Sequence, residues 1–203
     1  MSESFLAVTR AIADFVATQD SADEHLGAAI RHMEKSSASA APNPLYLPAR
    51  PTPDYGDILA MALTAAAGSP LAHVAKAIAP VSGLLPWHYS YPTEPGEENL
   101  ADRIAFAEIV GPQGALIAPH ARLGFTLMAP HTFYPMHAHP AVELYLVVAG
   151  HAAWLSPGIE EVVPPGGFVL HRTGQPHAMR TADEPLLAIY AWQGDLDTPS
   201  IYL

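Results

Sequence analysis

The chain has 203 residues, half of them apolar, 14% charged and none of them cysteine. That combination provides ample material for a packed core, and it excludes a disordered chain, disulfides, thiolate metal sites and cysteine nucleophiles. A net charge of −11 with only nine lysines plus arginines disfavours nucleic acid and anionic membrane surfaces as partners, while a small cationic ligand remains acceptable.

From Ser4 to Gln19 the apolar residues Phe5, Val8, Ala11, Ile12, Phe15 and Val16 recur at helical spacing. A second helix is expected over Asp23–Lys35, with Leu26, Ile30 and Met33 on one face. Ser36–Asp57 breaks the pattern, first with serine and alanine and then with Pro42, Pro44, Pro48, Pro51 and Pro53, so an extended crossing segment is expected. Helical character returns over Ile58–Ala67 and Leu71–Ile78 and ends at Pro80, Gly83 and Pro86. The first residues carry Glu3 and Asp14 and lack the basic start and unbroken apolar centre of a signal peptide. With no run of about 18 apolar residues, no membrane span is expected either, and the expected location is the cytoplasm.

Beyond Ala101 the texture becomes that of short strands. Runs at Ile104–Val110, Leu123–Ala129, Glu143–Ala149, Ala152–Leu155, Phe168–Leu170, Ala178–Thr181 and Leu186–Trp192 are separated by glycine- and proline-rich turns. The expected fold is mainly β with α: a helical extension over residues 1–100 packed on a C-terminal barrel over residues 101–203.

Inside the barrel half, Tyr134-Pro-Met-His-Ala-His-Pro-Ala-Val-Glu-Leu-Tyr145 runs on to Gly150. His137, His139, Glu143 and Tyr145 all fall on odd positions, so in one extended strand they would share a face. Two imidazoles, a carboxylate and a phenol are costly to bury unless something pairs with them, and a divalent metal is the simplest partner. Imidazole with carboxylate suits Fe(II), Zn(II) or Mn(II) alike. A fourth ligand is expected from a neighbouring strand, and His177 is the best placed.

The spacing His137-x-His139-x3-Glu143-x6-Gly150 resembles the first cupin motif, and Gly166…Gly174-x2-His177 resembles most of the second. His131, Arg172 and Thr181 stand where that pattern has glycine, proline and asparagine. The resemblance implies a jelly-roll-like barrel with His137, His139, Glu143 and His177 as metal ligands. More narrowly, the Glu143-x-Tyr145 step, the preceding Tyr134-Pro-x-His, the distance to His177 and the helical N-terminal half resemble the bacterial cupin-type dimethylsulfoniopropionate lyases, nearest to their short Q-type branch. That family splits dimethylsulfoniopropionate, a zwitterionic sulfonium, into dimethyl sulfide and acrylate. By this resemblance Tyr145 is the base and Tyr134 and Trp192 belong to the substrate pocket.

The residue chemistry is compatible. β-Elimination needs a base for the proton alpha to the carboxylate and a Lewis acid for the charge that develops on that carboxylate. A tyrosine near pKa 10 is a poor base until a cation lowers it. A sulfonium suits aromatic faces. Trp87, Tyr89 and Tyr91 read as packing between helices and barrel rather than as a cation box, Asp183-Glu184 as a solvated turn, and His151 as a turn residue. His131 and His171 read equally as groups behind the ligands or as exposed turn residues. The same ligand set fits two other activities, an Fe(II) dioxygenase on a small organic substrate and a non-enzymatic ligand-binding cupin. A monomer or a homodimer is expected.

Overall fold

The computed structural model describes residues 2–46, 55–91 and 100–203. Four helices come first: α1 (Ser2–Val16), α2 (Glu24–Ala38), α3 (Gly56–Ala66) and α4 (Ala72–Ile78). The strands β1 (Ala41–Pro42), β2 (Ile104–Val110), β3 (Leu116–Ile117), β4 (Arg122–Met128), β5 (Phe133–Ala138) and β6 (Val142–Ala149) lead into β7 (Ala152–Ser156), β8 (Ile159–Val163), β9 (Phe168–His171), β10 (His177–Thr181), β11 (Leu186–Gln193) and β12 (Ile201–Tyr202).

Phe5, Val8, Ile12 and Val16 make one fully buried stripe on α1 at the spacing the sequence shows. Asp23 caps α2, its carboxylate accepting from the Leu26 amide at 3.0 Å. This helix runs on to Ala38, three residues beyond the expected end, because Ser36 and Ser37 are small enough to be buried there. Of the expected extended segment Ser36–Asp57, residues 47–54 with Pro48, Pro51 and Pro53 lie outside the described residues. No described helix is long and apolar enough to cross a membrane.

The strands form two sheets, a seven-stranded one in the order β1-β3-β2-β4-β11-β6-β9 and a five-stranded one in the order β12-β5-β10-β7-β8. Period-two alternation sorts the larger sheet into two faces. Ala105, Ala107 and Ile109 of β2, Leu123, Phe125 and Leu127 of β4, Leu144, Leu146 and Val148 of β6, and Leu187 and Ile189 of β11 share one cluster with the buried faces of the helices. Tyr145, Val147, Ala188 and Met128 belong to a second cluster with Trp154 and Met179 of the smaller sheet. The result is a helical layer, a sheet and a second sheet: the mainly β barrel with a helical part that the sequence leads one to expect. Burying both faces is why β6 and β11 read as nearly continuous apolar runs broken by a few polar residues.

Gly150 makes the turn between β6 and β7, with φ of +81°. A Cβ there would lie 2.0 Å from the Pro185 carbonyl oxygen, so only glycine fits. At His131, where the motif has glycine, the backbone is also left-handed, at φ of +53°. β8 has no counterpart among the expected strands. Ile159-Glu-Glu-Val-Val does not alternate, and four of its five residues are exposed on the edge of the smaller sheet.

Candidate metal centre

The two motif histidines and the motif glutamate do not share one strand, which corrects the expectation of a single extended row. The chain leaves β5 at Ala138 and enters β6 at Val142, and the two strands lie in different sheets. Pro140, which cannot donate to a ladder, sits in the break. The side chains converge all the same, because the sheets face each other and both present this segment to the space between them. His177 begins β10 and pairs directly with His137 of β5.

His139, Glu143 and His177 each offer a ligand atom within 4.8 Å of the other two, and all three are buried. His139 Nε2 lies 3.0 Å and His177 Nε2 3.3 Å from the same Glu143 oxygen, Oε2. The other oxygen, Oε1, accepts from Trp192 Nε1 at 2.7 Å. His137 stands beside this trio, its ring centroid 4.0 Å from that of His177, but it is not a member of the compact group.

The tautomers fit a metal. The Nδ1 atoms of His137, His139 and His177 face the backbone carbonyls of Pro135, Ala141 and Gln175 at 2.8, 3.0 and 2.8 Å. Donation from Nδ1 would leave each Nε2 to ligate an ion, which at His139 would take the place of the proton now shared with Glu143 Oε2 at 3.0 Å, the arrangement of metal-ligating imidazoles. His177 Nε2 is buried and makes no hydrogen bond of good geometry among the described residues. Glu143 is held well below the usual carboxylate range; burial opposes this, and His139 and His177 outweigh it. An anionic carboxylate with buried imidazole nitrogens is a donor set that could hold a divalent transition ion.

Tyr145 follows Glu143 on the same interior face of β6 and borders the same cavity of about 410 Å³. Burial first, and the charge of Glu143 second, push its phenol well above 10. Without a nearby cation it is therefore protonated and no base. Tyr134 is buried, stacks on His137 at 4.0 Å and shares a short hydrogen bond with the Tyr91 hydroxyl. Trp192 stacks on His139 at 4.3 Å while donating to Glu143, which fixes both candidate ligands from behind. Tyr134 and Trp192 both line the cavity.

Most of the other groups singled out by the sequence lie where it has them, and Tyr91 does not. Trp87 is core packing, between Tyr55 and Phe125. Tyr91, expected in the core, is instead part of the cavity wall and stacks on Tyr202 at 4.2 Å. His131 and His151 are exposed turn residues facing Asp183 and Glu184. His171 is buried behind the centre, stacked on His177 at 3.9 Å, with neither ring nitrogen hydrogen-bonded among the described residues. Its place on β9 opposite Glu143 is a matter of strand pairing that no local pattern carries. Glu108, Arg122 and Tyr190 also line the cavity, and none of them stands out by motif.

The buried imidazoles make acid stability a test of this geometry. In metal-free protein His137 and His171 are each held down to about 3, by burial first and by the charge of His177 second. Unfolded histidine titrates near 6.5. The stability gained from keeping them neutral is fully present above that value and is lost progressively as pH falls toward 3, at about 1 kcal/mol per pH unit for each group. His139 has the opposite sign: burial lowers its pKa, but the Glu143 carboxylate outweighs burial and raises it, so it recovers part of the loss. Denaturant unfolding of metal-free protein is expected to show a net drop of about 1–2 kcal/mol between pH 7 and pH 5.5. Equal stability at the two values would show that these rings are solvated.

The profile of the dimethylsulfoniopropionate lyase family matches residues 22–188. A candidate dimethylsulfoniopropionate lyase, DddL, of Cereibacter sphaeroides is 42% identical over 123 residues, 60% of this chain and 51% of that protein. The dimethylsulfoniopropionate lyase DddQ of Ruegeria pomeroyi is 34% identical over 116 residues, 57% of this chain and 58% of its own. Each match thus covers only a little over half of the curated relative. The crystal structure of the Ruegeria pomeroyi DddQ superposes with a TM-score of 0.69 at 26% identity, covering 95% of this chain and 96% of that one. A chain from the crystal structures of the lyases RdDddP and RnDddQII superposes over 100% of both chains, with a TM-score of 0.81 at 20% identity, a likeness of fold.

Proposed function

Because the chain belongs to the dimethylsulfoniopropionate lyase family, the matched segment containing His137, His139, Glu143, Tyr145 and His177, we propose that it cleaves dimethylsulfoniopropionate into dimethyl sulfide and acrylate. The observation that carries the reading is the placement of Tyr145. Its phenol stands two residues from Glu143 on one interior face, at the wall of a cavity that His137, His139 and Glu143 also line, with His177 completing the compact group.

A divalent ion held by that group, with His137 as a further ligand, would supply a Lewis acid for the substrate carboxylate and favour the phenolate of the neighbouring tyrosine. The remaining work belongs to the chain. Tyr145 takes the proton alpha to the carboxylate. The electron pair of that C–H bond forms the double bond of acrylate, and the bond from the β carbon to sulfur breaks with its electrons on sulfur. Dimethyl sulfide leaves neutral, and the proton remains on the Tyr145 oxygen until water or bulk base removes it. Tyr134 and Trp192 wall the cavity and present aromatic faces to the sulfonium. Their own contacts, Tyr134 on His137 and Trp192 on His139, keep those faces rigid.

The direct test is release of dimethyl sulfide into the headspace from protein loaded in turn with Fe(II), Zn(II) and Mn(II). Turnover is expected with at least one of them, and it should persist without oxygen, which separates an elimination from a dioxygenase. No release above the metal-free control with any of the three would rule the reaction out.

A further inference from the structure

Glu108 is the single charged residue of the otherwise apolar strand β2, and only 5% of it is exposed. A carboxylate in that position costs several kcal/mol to bury unless it is matched to something. Its position follows from the register of the seven-stranded sheet. Tyr145 pairs with Tyr190, Tyr190 with Gly124 and Gly124 with Glu108. One cross-strand row therefore carries Tyr145 at one end and Glu108 at the other, three strand spacings or about 14 Å apart between backbones. Side chains at both ends reach into the same cavity, leaving room for a ligand of a few heavy atoms. The middle of the row is shaped to the same purpose. A Cβ on Gly124 would lie 2.4 Å from the Tyr190 hydroxyl, so glycine there lets the Tyr190 ring lie across the floor.

Glu108 is held in place. Its Oε1 accepts from the Gln113 amide at 2.7 Å, and its Oε2 lies 3.4 Å from Arg122, whose other guanidinium nitrogen is 3.5 Å from Asp197. Glu108 and the exposed Asp197 share the one Arg122 guanidinium, beside the aromatic rings of Phe106, Tyr190 and Tyr91 on the cavity wall. Burial raises the Glu108 carboxyl above its ordinary value, with the amide and Arg122 acting against that. A carboxylate kept charged only by local partners gains from a further cation nearby.

We infer that Glu108 is a specificity-determining residue, the fixed counter-charge for the cationic end of a small zwitterion whose carboxylate lies at the His139–Glu143–His177 end. This rests on the reading of the cavity as a substrate site for a sulfonium carboxylate. A sulfonium has no hydrogen to donate, so charge and aromatic faces are the means of recognising it, and specificity is then the difference in affinity between a cation and its neutral isostere.

Two probes isolate that difference: 3-(trimethylammonio)propionate and 4,4-dimethylpentanoate, nearly the same shape and differing by one positive charge. Calorimetric titration into the metal-loaded protein is expected to show the cationic probe binding about tenfold more tightly. Glu108→Gln keeps an acceptor for the Gln113 amide and should bring that ratio close to one, with the neutral probe unchanged within about twofold. Unchanged affinity for the neutral probe also shows that the variant is folded. A ratio retained in the variant, an equal loss for both probes, or equal binding by the wild-type protein would each overturn the assignment. If neither probe binds the wild-type protein, the substrate reading falls and this inference with it. A Glu108-dependent cation preference without dimethyl sulfide release would overturn the reaction while leaving the charged end in place.

Discussion

Tyr145→Phe is expected to lower dimethyl sulfide release by about three orders of magnitude, within the 10²–10⁴ range of a positioned general base, with bound metal unchanged. The substitution removes one oxygen and leaves the ring, which packs 4.8 Å from Trp154 and lies opposite Tyr190 and Val169 in the ladder. The fold should accordingly persist, since the ring and its packing stay in place. Chemistry should not persist. In the metal-free protein burial and Glu143 already hold this phenol protonated, and only a neighbouring cation reverses that balance. The variant should therefore lose kcat, with substrate affinity close to that of the wild type, since the carboxylate and the cationic end are held elsewhere. Elemental analysis alongside the headspace assay separates the outcomes. A metal-loaded variant with turnover within tenfold of wild type would show that another group takes the proton.

How much of this site can be read from the sequence depends on how local each relation is. Glu143 and Tyr145 share a strand, so their common face follows from alternation alone. The left-handed turn at Gly150 is local as well, and the first motif contains it. His137 and His139 are a different matter. His137 reaches the same space from the opposite sheet and His139 from the segment crossing between the sheets, and the local sign of the break is Pro140, which a strict count of odd positions overlooks. His177 is locatable because the second motif carries it, whereas His171 is placed by the pairing of β9 with β6 and has no motif. Tyr91 comes to the cavity wall from the N-terminal half, against Tyr134 and Tyr202. Such a contact is set by the packing of distant segments. Glu108 did leave a trace: a lone carboxylate in an apolar strand is expensive unless it is used, the same argument that singled out the metal group.

The second large effect is expected at the metal group, where His177→Ala and His137→Ala should separate. His177 shares one oxygen of Glu143 with His139 and belongs to the group whose ligand atoms all lie within 4.8 Å. Removing it takes one of three close ligands and also the ring on which His171 stacks. Metal affinity should fall on the order of 100-fold or more, since a structural-strength site divides roughly 10 kcal/mol among a few ligands. Saturating metal at about 100 times Kd stabilises a folded protein by about 2.7 kcal/mol, which for a chain of this size raises Tm by roughly 5–10 °C. The wild-type protein should show that rise at metal concentrations where His177→Ala shows none. His137 lies outside the compact trio, held by the Pro135 carbonyl and by stacking on Tyr134. His137→Ala should still take up one metal ion per chain, with affinity weakened about tenfold, because three ligands remain in place. Equal loss in both variants would make His137 an equal partner in the site. Equal retention would move the metal away from these residues, and the role assigned to Tyr145 would go with it, because its ionisation depends on a cation at this position.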